Sequence, residues 1–237
     1  MTTFHIISLF PASFESYLNA SIIKRAQERK KIAIEYYNPR DFVVPKKGKA
    51  LGYQDRRVDD RPYGGGPGMV IEAMPVIKAI EKSIKSIKSV KSIRPKIKIV
   101  FFSPAGKQFT NDIADTLKGY SDIIFVCGRY EGIDARVKKV FPMVDISIGP
   151  FVLTGGELPA MIAIDAITRR IPGVLGDDSS VEERRVAGSD VYTRPEIIEY
   201  KKKKYRVPKV LLSGHHAKMD EWKLRGKSIA NRKKITK

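Results

Sequence analysis

The 237-residue sequence predicts an α/β protein with a mostly parallel sheet, followed by a small helical C-terminal domain. Three observations predict it. Apolar strand-like runs alternate with helix-like patterns as far as Arg169, the signature of βα units on a parallel sheet. Three of these runs lead straight into glycine-bearing segments. Beyond Pro172 the periodicity gives way to polar, charge-rich sequence.

Taken in order, residues 4–10 (Phe-His-Ile-Ile-Ser-Leu-Phe) read as a buried strand ended by Pro11, with Ser13 placed to cap a helix reaching Lys24. Residues 32–37 read as a second strand. Residues 39–68 then read as a long loop, and loops of that length are usually functional or mobile. A helix is expected from Glu72. The Ser-Ile-Lys triplets of residues 83–94 carry only positive charge and can extend it, but a solvated surface segment is the preferred reading over an RNA-binding arm. Strands follow at 97–102, 123–127 and 144–148. Helices are expected at 110–118, from Ile133, and at 157–169, where Pro159 is tolerable in the first turn. The expected division is an α/β domain over 1–175, a linker over 176–190 and a small basic domain over 191–237. The last holds helical patterns at 196–200 and 218–225 and the run Lys201-Lys202-Lys203-Lys204.

Lys and Arg total 45 against 26 Asp and Glu, a formal net charge of +19. Such an excess favours a polyanionic partner, because each phosphate contact releases counterions. An anionic membrane surface is the weaker fit, since no amphipathic anchor is evident. The 42% hydrophobic content argues for a folded chain. The N-terminus lacks a secretory signal pattern, no apolar run has membrane-span length, and Cys127 is a single cysteine; together they point to the cytoplasm.

The candidate chemistry sits in the glycine segments. They are Ser103-Pro104-Ala105-Gly106, Cys127-Gly128-Arg129-Tyr130-Glu131-Gly132-Ile133-Asp134, and Ser147 through Pro159, which includes Gly149, Gly155 and Gly156. Open parallel sheets bind ligands outside the carboxyl ends of their strands, and glycines there admit a flat ligand close to backbone. Asp60-Arg61-Pro62-Tyr63-Gly64-Gly65-Gly66-Pro67-Gly68-Met69 is glycine-rich but lacks the Gly-Lys-Ser/Thr of a P-loop, and no G-x-G-x-x-G follows the first strand. One Cys and three His make a zinc site a poor fit.

These segments, with Arg170-Ile171-Pro172-Gly173-Val174-Leu175-Gly176, Tyr192-Thr193-Arg194-Pro195 and Leu211-Leu212-Ser213-Gly214-His215-His216, occur in an order that resembles the bacterial tRNA (guanine-N1)-methyltransferases of the knotted SPOUT superfamily (the TrmD family). The resemblance spans nearly the whole chain. It implies a C-terminal trefoil knot in the α/β domain, S-adenosylmethionine as cofactor, and methylation of N1 of the guanine at tRNA position 37. It also implies a homodimer with the active site at the interface and a tRNA-binding role for the C-terminal domain. By motif, the cofactor site comprises Phe101, Phe102, Ser103, Pro104, Gly128, Glu131, Ser147, Ile148, Gly149, Pro150, Phe151, Val152, Leu153, Gly155 and Gly156.

Catalytic roles fall by the same register on Arg169, which stabilises charge on guanine O6, and on Glu131 beside the cofactor. N1 of guanine carries a proton at neutral pH, so a general base is required. The family places an aspartate eight residues past the last glycine of Ile-Pro-Gly-Val-Leu-Gly. That position here is Arg184, which cannot act as a base. Glu183 is the preferred substitute, with Glu182 and Asp190 as alternatives. Pro150 stands where the family has an aspartate, which removes a backbone donor. The alternative reading is a catalytically impaired protein of the same fold that binds tRNA and S-adenosylmethionine.

Overall fold

The structure, a computed structural model, describes residues 1–43, 56–90, 95–176 and 190–233. They fall into two compact units, Met1–Leu175 and Gly176–Lys237.

In the first unit, strand β1 (Thr2–Ile7) is buried at every position. The chain then makes a 3-10 turn (Pro11–Phe14) and two short helices, α1 (Glu15–Leu18) and α2 (Ser21–Glu28). The sequence predicts one helix here, capped by Ser13. The structure breaks it at Asn19–Ala20, and Pro11, not Ser13, starts the first turn. The buried residues are Phe14, Leu18, Ile23 and Ala26. The step of five from Leu18 to Ile23 cannot stay on one stripe of a 3.6-residue helix, so the helix is interrupted to keep both on the core side.

Strand β2 (Ile32–Tyr37) follows and pairs parallel with β1. The expected long loop is partly ordered. It opens with a 3-10 turn (Pro39–Phe42) capped by Asn38, whose side chain accepts from the Arg40 amide at 3.0 Å. It is closed by the two-residue strands β3 (Asp59–Asp60) and β4 (Val70–Ile71).

Helix α3 (Ala73–Val90) runs into the triplet repeat, so the repeat extends the helix, as its spacing allows, and the preferred reading as a surface segment is corrected. Ser83 is fully buried, with its hydroxyl donating to the Ile80 carbonyl at 2.7 Å, and Ile87 is 2% exposed. Ile80, Ile84 and Ile87 step by four and three, which is helical spacing, so the repeat lays an apolar stripe on the sheet while Lys82, Lys85 and Lys88 face outward.

Strand β5 (Ile97–Gln108) is twice its expected length, because a bulge at residues 103–106 interrupts its pairing and the strand resumes beyond it. Phe102 and Lys107 both register with Ile146. Helix α4 (Asn111–Lys118) is capped by Thr110, and β6 (Asp122–Val126) is buried throughout. The helix expected from Ile133 begins later, as α5 (Arg136–Val140), after Asp134 accepts from the Arg136 amide at 2.9 Å. Strand β7 (Val144–Ser147) and helix α6 (Glu157–Thr168) complete the unit.

The five long strands form one parallel sheet in the order β2-β1-β6-β5-β7. Phe4, Ile6, Phe125 and Ile146 pack on one face with Phe14, Leu117, Ile164 and Ile167. Ile7, Ile124 and Val126 pack on the other with Val76, Ile80, Ile87 and Val137. Burial on both faces explains why these strands read as continuous apolar runs.

The second unit is not purely helical. Residues 196–200, read as helix, contain strand β8 (Ile197–Tyr200), paired antiparallel with β9 (Lys203–Arg206). Ile197, Ile198, Tyr200 and Tyr205 are β-formers, and the pairing uses them. Helix α7 (His216–Lys233) runs well past the expected pattern, and the Trp222 and Tyr192 rings lie 6.2 Å apart.

Ile87→Ala should destabilise the protein by about 2–4 kcal/mol in urea unfolding, whereas Lys88→Ala should change stability by less than about 0.5 kcal/mol. Equal small effects would return the repeat to the surface.

Candidate active site

Strands β6, β5 and β7 are neighbours in the sheet, so their carboxyl ends bring three loops together. The β5 bulge supplies Ser103 and Pro104. The segment after β6 supplies residues 128–132, and the segment after β7 supplies residues 147–156. Together they enclose a cavity of about 320 Å³. Every motif-assigned cofactor residue lines it except Pro150. Arg129, Tyr130, Gly132, Thr154 and Pro159, which belong to the glycine segments but carry no motif-assigned role, also line it, and so does Ile146, which lies outside them.

The loops need their glycines for space. The Gly156 amide donates to the Gly128 carbonyl at 2.9 Å, and a Cβ at Gly156 would lie 2.7 Å from the Cys127 Cα. A Cβ at Gly106 would lie 2.6 Å from the backbone of Asp145, so only glycine lets the bulge lie against β7. The Ser147 hydroxyl donates to the Gly149 carbonyl at 3.0 Å, holding the first turn after β7.

Beneath the loops lies a charged contact. Arg129 Nε meets Glu157 Oε2 at 2.9 Å, and the Glu157 side chain is 4% exposed. The other carboxylate oxygen accepts from the Ser8 hydroxyl at 2.7 Å. The Arg129 guanidinium lies 4.7 Å from the Phe10 ring centroid, and its Nη1 donates to the Thr154 carbonyl at 3.4 Å. A Cβ at Gly155 would come 2.5 Å from both Arg129 Nε and Glu157 Oε2. Glu157 was legible in principle: a carboxylate opening an apolar helix after Gly-Gly must find a cation if the helix packs inward.

Burial, with the Glu157 charge as second cause, pushes the Cys127 thiol well above its ordinary range. The Arg136 guanidinium beside Asp134 holds that carboxyl below the usual carboxylate range.

Glu131 is exposed at the cavity. Its amide donates to the Met69 carbonyl at 3.0 Å, and its carboxylate lies where a Cβ on Gly68 would sit, so the glycine-rich segment before β4 borders the site. Arg169 is elsewhere. It caps the C-terminus of α6, whose first residues border the cavity, and a 12-residue helix is about 18 Å long. Asp190 is exposed in the second unit, whereas Glu182, Glu183 and Arg184 lie outside the described residues. No cluster of potential metal ligands occurs among the described residues.

The chain matches the family model described as tRNA (Guanine-1)-methyltransferase TrmD over residues 2–236. It is 44% identical to the tRNA (guanine-N(1)-)-methyltransferase of Geobacter sulfurreducens, over 93% of this chain and 84% of the relative. It is 42% identical to the enzyme of that name from Clostridioides difficile, over 93% and 90%, and 41% identical to that of Photobacterium profundum, over 93% and 83%.

Glu157→Ala leaves the Arg129 guanidinium without its carboxylate and should cost about 3–5 kcal/mol in urea unfolding; a cost under about 1 kcal/mol would mean that the pair holds nothing. Cys127 should resist iodoacetamide in the native protein at pH 8.5 and react quickly in denaturant. The unfolded thiol ionises near pH 8.5 while the buried one keeps its proton. Its contribution to stability is therefore intact below that pH and lost as pH rises above it. Native-state alkylation at the denatured rate would contradict the burial.

Proposed function

The chain belongs to the tRNA (guanine-1)-methyltransferase TrmD family, and on that premise we propose that it methylates N1 of the guanine at tRNA position 37, next to the anticodon, using S-adenosylmethionine. The observation that carries this reading is the single cavity built by three glycine loops at adjacent strand ends. Nothing in the comparisons supports a catalytically inert binding protein.

The residues present fit the cofactor. Phe102, Pro104, Ile148 and Leu153 offer apolar walls for a flat purine, and Gly155 and Gly156 let the lining loops pack against Arg129, Glu157 and Cys127 with no side chain between them. The exposed Glu131 carboxylate favours a cationic group at the same cavity. When bound, S-adenosylmethionine supplies an electrophilic methyl group on a sulfonium. Pro150 lies between the lining residues Gly149 and Phe151, and Phe151 and Val152 shield the opening.

The remaining work concerns the guanine. The base must leave its stack to reach the cavity. Glu183 removes the N1 proton, in place of the aspartate whose position Arg184 occupies, with Glu182 and Asp190 as alternatives. Arg169 stabilises the charge that builds on O6.

Arg169 stands at the far end of α6 from the cavity of its own chain, and this favours a homodimer in which a second copy completes the site. Leu158 and Ile162, 53% and 45% exposed, lie four apart on α6 and supply an apolar face for that contact. We read the passage of residues 147–156 against residues 127–129 as the trefoil knot; the Gly156–Gly128 hydrogen bond and the Arg129–Gly155 bridge support it. The cytoplasm is the proposed location; no described helix is long and apolar enough to cross a membrane.

Purified protein with labelled S-adenosylmethionine and a tRNA transcript carrying guanine 37 should yield 1-methylguanine at that position. Arg169→Ala should lower kcat by about 10²–10³. Label on another base, or full activity in the variant, would overturn the assignment.

A further inference from the structure

The β8–β9 hairpin is shaped for a purpose its fold does not explain. Tyr200 pairs with Lys203, so the turn consists of Lys201 and Lys202 alone. Both are left-handed, with φ of 50° and 62°. Tight hairpin turns of this kind favour Asn and Gly, because a side chain with Cβ is disfavoured there. Two lysines at those positions work against the turn, and two more follow them at once.

The flanking strands add an exposed aromatic face. Residues alternate sides along a strand, so Ile198, Tyr200, Lys203 and Tyr205 share one face. Ile198, Tyr200 and Tyr205 are 56%, 62% and 46% exposed. Lys201 Nζ lies 5.4 Å from the Tyr200 ring centroid and Lys203 Nζ lies 5.5 Å from that of Tyr205, so each exposed ring has an ammonium beside it. Arg206 and Lys204 extend the positive charge on the opposite face, tempered by Glu199.

We propose that this hairpin is an RNA-contacting ribbon: its lysine tip neutralises phosphates of the tRNA backbone, and the Tyr200–Tyr205 face stacks on an unpaired base. A cationic tip demands a polyanion, and an aromatic face edged by ammonium groups suits a base next to its phosphate. An anionic membrane would satisfy the charge and the apolar face without requiring the paired rings. The inference deepens the tRNA-methyltransferase reading, on which it rests for the identity of the RNA.

The test measures affinity of the full chain for a tRNA transcript between about 50 and about 200 mM salt, alongside methyl transfer. Replacing Lys201, Lys202, Lys203 and Lys204 together by Gln should weaken tRNA binding about tenfold or more and reduce the salt slope by about two. The matching Arg variant, with the same turn burden and the charge retained, should bind within about twofold of the parent. Tyr200→Ala with Tyr205→Ala should weaken binding about tenfold, and the double Phe variant should restore it. A Gln variant with parental affinity and slope would overturn the proposal. So would loss of binding to phosphatidylglycerol vesicles with tRNA binding intact. If the parent binds tRNA but transfers no methyl group, the functional reading fails while the affinities still decide the hairpin.

Discussion

The contact between Arg129 and Glu157 holds the first unit's functional end together. The Glu157 side chain is almost wholly buried, and a carboxylate there requires a cation and hydrogen bonds. Arg129 brings the segment after β6, Glu157 brings the first turn of α6, and Ser8 brings the end of β1. Three parts of the chain far apart in sequence are thereby fixed at one point. A pair of apolar residues could match the stability, but not the direction, because the fork of Arg129 also reaches the Thr154 carbonyl and the Phe10 ring.

The glycines follow from that contact. Gly155 has no room for a side chain because Arg129 and Glu157 occupy the space, and Gly156 has none because Cys127 lies behind it. The two glycines therefore bring the loop after β7 close against the segment after β6, and the cavity between these loops has apolar walls in Phe102, Pro104, Ile148 and Leu153. The Cys127 thiol is a structural filler in this arrangement, sealed beneath the floor and kept protonated by burial.

Much of this was legible in the sequence where one physical rule dominated. Residues 32–37 gave a strand with the observed limits, and the three glycine segments converged on one cavity because parallel strand ends must lie together. The failures have physical causes. Helix 13–24 ignored the five-residue step at Ile23. The Ser-Ile-Lys repeat could extend the helix by its spacing or lie on the surface by its charge, and the burial of Ser83 and Ile87 decides for the helix. Residues 196–200 were short enough for either period, and strand pairing decided them. The need of Glu157 for a cation was legible in principle, but its pairing with Arg129 was missed because the partner shows only when the burial of both is known.

If the three pinned loops form the methyl-donor site, a crystal structure with S-adenosylhomocysteine will hold the ligand inside the cavity, its purine between the apolar walls, with the Arg129–Glu157 contact unbroken beneath it. A ligand bound elsewhere, or loops that separate to admit it, would show that these loops are not the methyl-donor site.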